Sequence, residues 1–115
     1  MAGLLAAWVG LTWGADDAVL ERGHAVFEAH CVLCHGANAD GTGQLSRLLA
    51  PPPANLRRSI LDAQARNAIV RGGGASVGRS PAMPRWEAEL SEEELQAVIA
   101  YVASVAPKQG AVPQK

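Results

Sequence analysis

The stretch "FEAHCVLCHGANADG", Phe27 to Gly41, carries both cysteines of the chain and two of its three histidines. Two thiols separated by two residues serve a redox disulfide, a zinc site or covalent haem attachment. A thioredoxin-like redox pair needs a strand–helix–strand surrounding, and no segment of this chain alternates with a period of two. Structural zinc takes four ligands, commonly as two sequence pairs. Here the second pair is missing, and Cys31, Cys34 and His35 with His24 or His30 would crowd one turn. A structural disulfide across so small a loop gains little entropy. A Cys-X-X-Cys followed at once by His reads instead as c-type haem attachment. The two thiols become thioethers, and His35 supplies the proximal imidazole.

The chain has 115 residues, enough for one domain, and is 49% hydrophobic and 18% charged, so its composition is not that of a disordered protein. A formal net charge of −1 gives no general argument for nucleic acid or an anionic membrane. The opening run "MAGLLAAWVGLTWGA" is uncharged and is followed by Asp16 and Asp17. It falls short of the roughly 20 apolar residues that span a bilayer. Its length suits a secretory signal, though without a basic start. The expected organisation is a signal peptide over 1–15, one domain over 16–106 and a flexible tail over 107–115. That implies a periplasmic or otherwise exported bacterial protein with no stable membrane insertion.

Three helices are expected. The first spans Asp17 to His30, with Val19, Leu20, Gly23, Val26 and Phe27 on one face. The second spans Ser59 to Arg71 and stops at Gly72, Gly73 and Gly74. The third opens at Ser91, which forms a capping box with Glu94, and ends before Pro107. No sheet is expected, so the fold class is all-α. Long loops, Gly36 to Arg58 and Gly72 to Leu90, separate the helices. With one Phe and one Tyr in the chain, the core is thin for so much loop. A large apolar group from outside the chain would account for both.

A six-coordinate haem needs a second axial ligand. Met83 in "SPAMPRW" is the only methionine besides Met1 and sits in a Pro-flanked loop. A methionine is commonly core filler, but this one lies on no apolar helical face. His24 and His30 are its competitors, and both read better as solvated. Trp86 packs on the haem or bonds a propionate, or is an ordinary core residue. Arg47, Arg57, Arg58, Arg66, Arg71, Arg79 and Arg85 lie between the haem motif and the third helix, while the acids concentrate elsewhere. With both axial sites filled, the iron exchanges electrons rather than binding substrate, so no enzyme is expected. A gas-binding or peroxidatic haem protein would require an open distal site, and a thiol or zinc module would require no haem.

The order helix, "CVLCH", Pro-containing loop, middle helix, Met loop and "LSEEELQAVIAYV" helix resembles the class I monohaem c-type cytochromes, bacterial small electron-transfer members included. The resemblance covers most of Asp17 to Val105. It implies a cytochrome c fold with one covalent haem c, in which Gly23 and Phe27 cross Tyr101. It also implies that a proline carbonyl accepts the proximal histidine N–H, with Pro51 favoured over Pro52 and Pro53. The function so implied is one-electron shuttling by a monomer between redox proteins: a dehydrogenase, a cytochrome complex or a terminal oxidase, one of them with an acidic docking surface.

Overall fold

The computed structural model describes residues 3–5 and 14–108, so most of the expected signal segment and tail lie outside the described residues. Helix α1, Ala15–His30, places Asp16 and Asp17 in its first turn, where the helix dipole favours negative charge. Helix α2, Val32–His35, is one turn long and follows after Cys31 alone. Helix α3 covers Ala63–Gly72 and α4 covers Glu92–Val105. Among the described residues there is no strand, as the missing period of two requires.

The middle helix starts later than its apolar pattern suggests. Asp62 is the true N-cap, accepting from the Ala65 amide at 2.8 Å, and Ser59 stays extended outside. Ile60 continues the helical spacing in sequence, yet it is 82% exposed. Helix α4 begins as read. The Glu94 amide donates to the Ser91 hydroxyl at 3.2 Å, and the Ser91 amide donates to the Glu94 carboxylate at 3.0 Å.

Helices α1 and α4 cross at Gly23. A Cβ there would lie 2.0 Å from the Ala97 carbonyl oxygen, so any larger residue must push the two backbones apart. Phe27 is fully buried at this crossing, and its ring meets Tyr101 at 5.2 Å between centroids, tilted by 52°. Such a tilted pair adds about 0.5–1.5 kcal/mol to the burial of the rings. Val26, Leu95, Val98 and Val102 complete this part of the core. The exposed rim carries an ion pair, Arg22 to Glu93 at 2.8 Å. His24, read from sequence as solvated, stacks on Tyr101 at 5.0 Å and lies 3.1 Å from Glu28.

Candidate functional site

Cys31, Cys34 and His35 share one helical turn. The His35 amide donates to the Cys31 carbonyl at 2.9 Å, and spacings of three and four residues set the three side chains on one face. A helix end leaves carbonyls without partners. Here the following loop supplies them: Gly41 donates to His35 at 2.7 Å, Gly43 to Cys34 at 3.1 Å and Leu45 to Leu33 at 3.0 Å. Gly43 comes so close that a Cβ would stand 2.4 Å from the Leu33 carbonyl oxygen. The segment from Gly41 to Leu45 therefore clasps the motif.

The His35 ring is fixed by the next part of the loop. Its Nδ1 lies 3.0 Å from the Ala54 carbonyl oxygen. This corrects the expectation that Pro51, or its neighbours Pro52 and Pro53, accept that proton. Pro51 and Pro52 are exposed, and the Pro53 carbonyl lies against Gly41, where a Cβ would meet it at 2.8 Å. The run of prolines stiffens the approach, and the first carbonyl beyond it reaches the imidazole. With Nδ1 engaged, Nε2 is the ring nitrogen left for a ligand. Burial lowers the His35 pKa, only partly offset by the Ala54 carbonyl, so the ring stays in the neutral, ligating form.

Both cysteines are free and partly buried. Burial, reinforced by the neighbouring Cys34, pushes the Cys31 thiol up to about 12. Burial of this kind favours the neutral thiol over the thiolate. Among the described residues no group of three His, Cys, Asp or Glu could hold a metal ion.

Met83 stands on the second long loop, which docks on the end of α3. The Gly74 amide donates to the Met83 carbonyl at 3.1 Å, and the Arg79 amide donates to the Gly74 carbonyl at 2.8 Å. Gly73 has φ +80°, and a Cβ on Gly74 would lie 1.9 Å from the Ser80 carbonyl oxygen. The "GGG" run stops α3 as expected, with Gly73 as its cap, and it also seats the methionine loop. Three residues past Met83, Trp86 is partly buried against the core and meets His30 edge-on at 5.3 Å. His30 immediately precedes Cys31, so this contact joins the methionine loop to the cysteine turn.

Not all the arginines form an open basic rim. Arg71 binds Glu92 through both guanidinium nitrogens, at 2.6 and 2.8 Å, Arg66 reaches the Leu61 carbonyl, and Arg85 pairs with Glu87. Arg57 touches the Asn38 carbonyl at 3.5 Å, while Arg47, Arg58 and Arg79 are exposed.

The residues fit a haem c. Two free thiols share a face with a neutral imidazole whose other nitrogen is occupied, and the second long loop carries a thioether. Leu33, Leu48, Ile60 and Val77 remain 52%, 79%, 82% and 42% exposed, apolar surface that a large apolar group would cover. Fold and site together define a small c-type haem protein.

The family model described as cytochrome C oxidase, cbb3-type, subunit III, matches residues 18–102. The chain is 25% identical over 87 residues to the cbb3-type cytochrome c oxidase subunit CcoP of Azospirillum brasilense, covering 76% of this chain but 28% of that subunit. It is 32% identical over 83 residues to cytochrome c6 of Bryopsis maxima, covering 72% of this chain and 88% of the relative. Cytochrome c6 of Porphyra purpurea is 29% identical over 100 residues, with 87% and 84% covered. The chain thus belongs to this cytochrome c family. It is a small monohaem electron carrier with covalently bound haem c.

Proposed function

We propose that Cys31 and Cys34 would anchor a haem c by thioethers and that His35 and Met83 would hold its iron. Haem c, when bound, supplies a one-electron ferric/ferrous couple. The chain's own residues do the rest. Ala54 fixes the His35 tautomer and raises the basicity of Nε2, as outer partners of a ligating imidazole do. A thioether from Met83 favours the ferrous state and, with the apolar side chains of the loops, sets a positive potential. With His35 and Met83 both committed to the iron, no position would remain for a substrate, which favours a carrier over an enzyme.

The observation that carries this reading is the His35–Ala54 contact at 3.0 Å beside two free thiols on one turn. The decisive experiment is the absorption spectrum of the holoprotein and of Met83→Ala. The parent should show low-spin bands and a weak ferric methionine–iron band toward the red. The variant should become high-spin, bind carbon monoxide when reduced, and fall in potential. A low-spin Met83→Ala protein with the parent potential would assign the sixth ligand elsewhere.

The carrier works as an exported monomer in the periplasm, a reading supported by the uncharged apolar run before Asp16. No helix among the described residues is long and apolar enough to cross a membrane. Its partners are redox proteins, a dehydrogenase, a cytochrome complex or a terminal oxidase, and one of them docks with an acidic surface against Arg47, Arg57, Arg58 and Arg79. Steering of this kind fades once the screening length drops to about 8–10 Å. Arg58→Glu should therefore slow the bimolecular rate with an acidic partner more at low salt than at high salt.

A further inference from the structure

The Arg71–Glu92 pair differs from the other ion pairs of the molecule in where it acts. Arg71 sits in the last turn of α3, one residue before the glycines on which the methionine loop is seated. Its guanidinium grips Glu92 in a two-pronged contact at 2.6 and 2.8 Å, and its Nε donates to the Asn67 side chain at 2.7 Å. Gln96 donates to the same Glu92 carboxylate at 3.1 Å. The pair fastens the end of α3 to the first turn of α4. Only 24% of the Arg71 side chain is exposed, which favours a fixed geometry over a loose surface contact.

The chain of contacts is then continuous. Glu92 fixes Arg71, Arg71 fixes the α3 terminus, and Gly73 and Gly74 directly after it receive the loop. The Gly74 amide bonds the Met83 carbonyl itself, and a Cβ on Gly74 would lie 3.2 Å from the Met83 Cβ. We propose that Arg71 and Glu92 are positioning residues for the axial methionine, bracing the α3 terminus so that the Met83 loop resists displacement. The proposal rests on Met83 being the sixth ligand.

The test is imidazole binding to the ferric holoprotein, followed by loss of the methionine–iron band. Arg71→Met and Glu92→Gln should each tighten apparent imidazole binding by about three- to tenfold, the scale of one well-formed charged contact. The double variant should match either single one, because both remove the same brace. Arg22→Met, which breaks the α1–α4 ion pair instead, should leave imidazole affinity within about twofold of the parent. In a Met83→Ala background there is no thioether to displace, and Arg71→Met should have no effect. Amide exchange at Gly74 should quicken in Arg71→Met and not in Arg22→Met. The proposal is overturned if Arg71→Met lowers the melting temperature without changing imidazole affinity, or if Arg22→Met changes it equally. A parent lacking the methionine band, or indifferent to Met83→Ala, would instead remove the ligand assignment, and the proposal with it.

Discussion

The two sides of this molecule are built on different principles. Where α1 crosses α4, side chains fill the space: Phe27 and Val98 are fully buried and Gly23 lets the backbones touch. Around the cysteine turn and the methionine loop, order comes from main-chain hydrogen bonds and glycine contacts, while Leu48 and Ile60 face outward. One side is a protein core in the ordinary sense. The other is a frame whose filling is the cofactor. Side-chain packing and backbone clasping thus divide one small fold between them.

The largest test of this contrast removes the filling. Cys31→Ala with Cys34→Ala should abolish haem that survives acid–acetone extraction, and circular dichroism should show loss of most helix content, since ligand binding is linked to folding. A double variant that stays stained on a denaturing gel, or keeps its helices, would show the frame to be self-supporting. Next in size, Phe27→Ala should destabilise the holoprotein by about 3–5 kcal/mol in denaturant titration, the usual cost of emptying a buried aromatic site. Its visible spectrum should nevertheless stay native while folded, because the loss falls on the packed side. A smaller effect, about 1 kcal/mol, is expected from Ser91→Ala, which removes the α4 cap.

The smallest effect concerns acid. The Arg71 fork, aided by the Gln96 amide, lowers the Glu92 pKa from 4.5 to about 2, and Glu87 is the other carboxylate acting on Arg71. A carboxyl depressed in the folded state stabilises it above its unfolded pKa, and that contribution is lost as pH falls through the folded value. The gap in melting temperature between the parent and Glu92→Gln should therefore be constant above about pH 5 and close between 4.5 and about 2. A gap unchanged across that window would mean that the pair adds nothing to the joint between α3 and α4.

The packed side was almost wholly legible in the sequence. The crossing of Gly23 and Phe27 with Tyr101 was implied by the resemblance to the class I cytochromes, and Ser91 with Glu94 announced the start of α4, because a cap is a local signal. The clasped side was legible in its chemistry and not in its geometry. Cys31, Cys34 and His35 declare themselves by spacing. The Ala54 carbonyl that bonds His35 does not, since any residue can present a carbonyl and only the path of the loop selects one. The same holds for Arg71 and Glu92, which are 21 residues apart and unremarkable singly. The late start of α3 follows from Asp62: a carboxylate one residue before the helix outcompetes the apolar period that continues through Ile60.

The crossing of α1 and α4 also bears on the order of events during synthesis. It joins residues as far apart as Arg22 and Glu93, 71 positions along the chain. At a ribosomal pace of about 5–20 residues per second, the cysteine turn precedes its structural partner by several seconds. During that interval α1 has nothing to pack against, and sixteen residues of helix are marginal alone. The turn that carries both thiols is therefore made well before the helix that holds it in place.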